Sequence, residues 1–193
     1  MSRPRTSRRA LKHIRLVDSN TSTAGTVTLP ADVIAGDLLV FNQYSHGVVS
    51  EPTYVSPAGW TEVYSTAGSG EWQASGAYYK IADGTEGGTS VTGIDASGTD
   101  HKTVAVFRGN RPFKSARKLT ATVENTNNNP AAQTILTGAM KTPTIAVANF
   151  GANSAVSPRT FSPAETHEIS PNTNYYTKFK IMLGDYADIS VDM

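Results

Sequence analysis

The sequence contains no cysteine. That excludes a disulfide framework, thiolate metal sites and a cysteine nucleophile. Tryptophan is scarce, at two in 193 residues, and aromatics reach only 8%, so each large ring matters to any core. No apolar run approaches the roughly 20 residues of a membrane-spanning helix. The first residues are basic and polar with no apolar stretch behind them, so neither a signal peptide nor a transmembrane segment is expected. Acid is missing from residues 1–15, which carry Arg3, Arg5, Arg8, Arg9, Lys12 and Arg15 for +6. The whole chain is +1, so the other residues sum to −5. A basic arm on a mildly acidic body suits an acidic protein surface, or a weak nucleic-acid contact.

What is present is turn chemistry and short alternating runs. Gly (16) and Pro (10) punctuate segments that read as strands: HIRLVDS (13–19), AGTVTLP (24–30), DLLVFNQYS (37–45), WTEVYS (60–65), EWQASGAYYKIA (71–82), TSVTGI (89–94) and HKTVAVFRG (101–109). In the last, Val104, Val106 and Phe107 mark the core side. WTEVYS breaks strict period two, which predicts a bulge. DGTEGG (83–88) reads as a turn, and Asp83-Gly84 is a strong hairpin signal. Further on, TPTIAVANFGA (142–152), YYTKFKIM (175–182) and ADISVDM (187–193) read as strands, and 157–174 as a long Pro-rich connection. The segment 131–140 is the one helix candidate beyond the arm, weakened by its threonines. Nine or ten short strands without βαβ spacing predict an all-β fold, an antiparallel β-sandwich of jelly-roll or immunoglobulin-like kind. An extended N-terminal arm (1–15) precedes the sandwich domain (16–193).

Catalytic signatures are sparse. There is no GxSxG elbow and no Walker loop. His13, His46, His101 and His167 show no metal-ligand spacing. Asp95, Ser97 and Asp100 superficially offer oxygen ligands, but a hairpin turn explains DASGTD more simply. Glu62 and Glu71 are the least poor pair of carboxylates for glycoside hydrolysis. No catalytic, metal or cofactor site is expected.

Binding surfaces carry more signal. Trp60, after Pro57-Ala58-Gly59, reads as a core anchor closing one end of the sandwich. Trp72, between Glu71 and Gln73, and Tyr79 are candidate platforms for stacking on a sugar or base. Tyr78 and Tyr79 must point to opposite faces of a strand. FRGNRPFKSARK (107–118) forms a second basic cluster, with Arg111, Lys114, Arg117 and Lys118 as candidate partner contacts. Arg108 reads as structural, tying strand-end carbonyls to a carboxylate.

The order GDLLVF (36–41), PAGWTEVYS (57–65), YYKIADGTEGG (78–88) and VAVFRG (104–109) resembles a group of small β-sandwich virion proteins of tailed bacteriophages and their prophages. The likeness spans about residues 24–110. It implies a structural role in the virion, assembled in the host cytoplasm, most of all as a capsid decoration or cement protein. A tail, neck or fibre-associated component is the alternative, and a carbohydrate-binding module stands behind both. The implied partners are the major capsid protein or other virion proteins, with self-association into a homo-oligomer and no membrane. No catalytic residue or cofactor comes with the resemblance. Gly59 and Trp60 match its loop and core anchor, Gly84 its hairpin turn, and Arg108-Gly109 its strand end.

Overall fold

The computed structural model describes residues 13–46, 56–67, 73–93, 99–116, 133–137, 144–151, 160–162, 167–172, 175–182 and 188–192. All the regular structure among them is β. Its strands are β1 (Ile14–Ser22), β2 (Thr26–Thr28), β3 (Leu38–His46), β4 (Thr61–Ala67), β5 (Gln73–Ile81), β6 (Ser90–Thr92), β7 (Thr99–Gly109), β8 (Gln133–Thr137), β9 (Thr144–Gly151), β10 (Thr160–Ser162), β11 (His167–Asn172), β12 (Tyr175–Met182) and β13 (Asp188–Asp192). The principal sheet has the order β1-β7-β3-β5-β4. Smaller sheets are β2-β6, β11-β12-β9 and β10-β13-β8, and every pairing is antiparallel. This is an all-β sandwich.

The apolar run in β3 explains the layering. A strand buried on one face alternates, whereas one buried on both reads as continuous. Leu38, Leu39, Val40 and Phe41 are all buried, as are Val104, Ala105, Val106 and Phe107 of β7. On one face Leu39, Phe41, Tyr78, Val104 and Val106 pack with Val27 and Leu29, Val33, and Val91 of β6. On the other, Leu38, Val40, Ala105 and Phe107 pack with Ile14 and the half-buried Phe113, Ile145 and Ile169. The β2-β6 pair thus covers one face, and side chains from β9 and β11 meet the other. Trp60 is half-buried against the first core, its ring edge-on to Phe41 at 5.9 Å.

Several expectations need correction. Asp83-Gly84 does not turn a hairpin: β5 stays in the principal sheet and β6 pairs with β2. The 83–89 loop crosses between sheets, held by Leu29 N donating to Thr89 O at 2.8 Å and Gly88 N to Leu29 O at 3.2 Å. Gly84 is needed there for its φ of 100°. The helix candidate at 131–140 contains strand β8 instead, as its threonines favour. The supposed connection 157–174 contains β10 and β11, so the strands among the described residues number thirteen. β1 begins at Ile14, opposite Gly109, so Arg15 belongs to a strand and not to the arm. The bulge expected in WTEVYS is present, as a register shift between Glu62 and Tyr64.

Candidate functional site

Three of the four sequence elements quoted above meet at one end of the principal sheet. Asp37, immediately before β3, is 1% exposed. Arg108 near the end of β7 grips it with both branches of its guanidinium: Nε donates to Oδ1 at 2.8 Å and Nη2 to Oδ2 at 2.7 Å. Nη2 also donates to the Asp32 carbonyl at 2.7 Å. The carboxylate further accepts from Ile34 N at 3.0 Å. The side-chain hydrogen bonds to Asp37, with the charges of Asp37 and Asp32, outweigh desolvation and hold the Arg108 guanidinium above its ordinary value. Gly36 precedes the clasp with φ 85°; its N–H donates to Ala82 O and its carbonyl accepts from Phe113 N, both at 2.8 Å. Nearby, Glu86 is buried yet accepts from Asp83 N at 3.1 Å and Gly84 N at 3.0 Å, and pairs with Lys80 Nζ at 2.8 Å. Arg108 therefore ties a carbonyl to a carboxylate, as its sequence position suggested. The remaining element also serves packing, through Trp60 against Phe41.

The basic residues gather at the neighbouring edge. β1 is an edge strand, and its register sets Ile14 against Gly109 and Arg15 against Arg108. Asn110 N donates to His13 O at 3.1 Å, which extends the pairing past the strand ends. The point where the basic N-terminal segment joins the fold thus lies beside the segment bearing Arg111 and Lys114. Arg15, Arg111 and Lys114 are exposed and make no ion pair among the described residues, whereas Arg108 is committed to Asp37. The described members of two clusters that are about a hundred residues apart in sequence thus lie at one corner. Arg3, Arg5, Arg8, Arg9, Lys12, Arg117 and Lys118 lie outside the described residues.

The expected stacking platform is not open at Tyr79. Its ring packs against the second core and its hydroxyl donates to Ala116 O at 3.0 Å, so it anchors the 110–116 segment. Tyr78 is fully buried; the opposite faces of the strand would leave one tyrosine buried and the other exposed, but Tyr79 is half-buried because the other face is covered too. Trp72 and Glu71 lie outside the described residues. Glu62 is exposed and accepts from Ser65 Oγ at 3.0 Å.

The opposite end of the sheet holds a polar cluster that the sequence reading missed. Ser45, Asp100, Lys102, Gln43 and His101 are all buried. Cross-strand register sets Gln43 opposite Lys102 and Ser45 opposite Asp100. Ser45 Oγ donates to Asp100 Oδ1, and Lys102 Nζ lies 3.5 Å from Asp100 Oδ2. His101 projects to the other face and stacks on Tyr44, with ring centroids 6.3 Å apart. Burial chiefly lowers its proton affinity; Asp100 opposes that and Lys102 adds to it. A serine relay needs histidine between the hydroxyl and the carboxylate, and the strand places His101 on the wrong side for that. The signal that could have revealed the cluster is its position: it continues the two central strands whose apolar halves are buried on both faces.

Among the described residues no group of three or more His, Asp or Glu side chains could hold a metal, and no helix is long and apolar enough to cross a membrane. No family model, curated protein or solved structure matches the chain.

Proposed function

We propose that the chain is a structural virion protein of a tailed bacteriophage, a decoration protein that docks its basic corner on an acidic face of the head shell. The observation that carries the reading is the joining of the N-terminal basic segment to the Arg111–Lys114 segment through the Asn110–His13 hydrogen bond and the β1–β7 register. The four-element resemblance supports it: Asp37, Arg108, Lys80, Gly84 and Trp60, which fall within those elements, hold the sandwich together, so the shared pattern is one of scaffold. Repetition on a symmetric lattice lets individually weak contacts add up. Clustered exposed charge speeds encounter and selects an oppositely charged partner.

Co-sedimentation with purified empty shells tests this. Full-length protein should bind saturably, with affinity falling as salt rises. Arg111→Glu/Lys114→Glu, and a chain beginning at His13, should each bind at least tenfold more weakly while staying folded. Salt-independent binding, or undiminished binding by both variants, would remove the basic corner from the reading. Absence of shell binding combined with attachment to tails would assign the protein to the tail instead.

A further inference from the structure

We propose that Lys102 and Gln43 form an intramolecular isopeptide bond across β7 and β3, with Asp100 as the catalytic proton carrier. The two side chains start directly opposite each other on adjacent antiparallel strands, the spacing at which cross-strand groups touch. Both residues are 0% exposed. Gln43 Oε1 and Lys102 Cε lie 2.5 Å and 2.8 Å from the point that a Cβ on Gly93 would occupy, with Phe41 Cζ 2.9 Å from it. The absence of a side chain at Gly93 is what allows the carboxamide and the lysine stem to share one space. Gln43 Nε2 donates to Tyr78 Oη at 3.4 Å, which orients the amide within an aromatic wall.

The third group is in reach. Asp100 Oδ2 lies 3.5 Å from Lys102 Nζ, and Ser45 Oγ holds the other oxygen. Proton transfer from the ammonium to Asp100 removes two charges from an interior that disfavours both and frees the nitrogen lone pair. Nζ then attacks Gln43 Cδ. The Nζ–Cδ bond forms and the Cδ–Nε2 bond breaks. One of the three ammonium protons stays on the new amide. The other two pass through Asp100 to Nε2, which departs as ammonium and leaves the carboxylate regenerated. No oxidant, reductant or cofactor is required. The proximity of the groups supplies the effective concentration that an amide exchange lacks in water. The product replaces the lysine charge by a neutral amide, leaves Asp100 held by Ser45 Oγ, and closes a covalent loop between the two central strands, which restrains the unfolded chain.

Intact mass spectrometry of the folded, full-length protein, followed by peptide mapping, tests the proposal. The expected result is a mass lower than that of the sequence by one ammonia, with the peptides containing residues 43 and 102 recovered as one branched species. Lys102→Met and Gln43→Leu should restore the mass expected of each variant sequence, and Asp100→Asn should leave the peptides separate. The wild-type peptide map decides the matter even if a variant fails to fold. Separate, unmodified peptides from the wild-type protein would overturn the proposal. So would a deficit of one water, which places the bond on a carboxylate, or a deficit that survives Lys102→Met.

Discussion

Removing Arg108 should cost much more than removing the partner it holds. Asp37 has 1% of its side chain exposed and Arg108 24%, so the two are desolvated unequally. Arg108→Ala leaves a carboxylate in the protein interior with Ile34 N as its remaining donor among the described residues. Breaking a buried pair from one side costs about 3–5 kcal/mol, and the partial exposure here argues for about 3. Asp37→Ala instead leaves a guanidinium that can turn to water, which costs about 1–2 kcal/mol through the lost pair and the orphaned Ile34 amide. Urea denaturation separates the two cases. With an m-value of about 2 kcal/mol/M, Arg108→Ala should lower the midpoint by roughly 1.5 M and Asp37→Ala by about one-third to two-thirds of that, at constant m. The double variant should cost less than the sum of the singles, because the buried charge leaves with its partner. Equal losses from the two single variants, or a loss below about 1 kcal/mol for Arg108→Ala, would refute the view that unequal burial sets the cost.

Three further outcomes are expected. Trp60→Ala should cost about 2–3 kcal/mol in the same assay, short of the full-burial figure because the ring is half-buried against Phe41; a loss below about 1 kcal/mol would make it a surface ring. Burial pushes Glu86 up, but Lys80 and the Asp83 and Gly84 amides outweigh it and hold the carboxyl below 4.5. Its contribution is therefore complete above the unfolded value and lost as pH falls through the lower folded value, so thermal melts between pH 7 and 3 should drop less steeply for Glu86→Gln than for wild type. His101 resists protonation in the fold, chiefly through burial, from an ordinary value of 6.5. Below that pH the unfolded chain takes up a proton that the folded one refuses, so stability should fall as pH drops from 6.5 toward the folded value, and His101→Phe should flatten that decline while keeping the stack on Tyr44.

The sequence was most readable where one residue type has one physical use. LLVF is continuous because β3 is covered on both faces, and the broken alternation of WTEVYS marks a real bulge. Arg108 could be read as a clamp, but its carboxylate could not be named, because Asp37 is 71 residues away in the chain and local pattern says nothing of distant pairing. The same limit hid the crossing after β5: Asp83-Gly84 has hairpin chemistry, yet local turn preference does not decide which sheet receives the next strand. β10 and β11 were missed because Ser, Pro and Glu dominate their surroundings and their apolar content is a single Phe161 and a single Ile169. The polar cluster was missed for a different reason. Asp100, His101 and Lys102 look like a solvated strand end, and only the depth of the central strands makes them interior.

That depth has a consequence for where binding can reside. β3 carries a committed ion pair just before its first residue and a buried polar cluster near its last, so changing either alters the scaffold before it alters a surface. The corner formed by β1 and residues 110–116 is different. Its backbone is fixed by β1–β7 pairing, by Phe113 N on Gly36 O and by Tyr79 Oη on Ala116 O, while Arg15, Arg111 and Lys114 project from it without a structural task among the described residues. Charge there can be varied at little cost to the fold, since exposed substitutions stay within about 0.5 kcal/mol. A surface whose position is rigid and whose side chains are uncommitted is the part of the described structure best able to fit a partner of opposite charge.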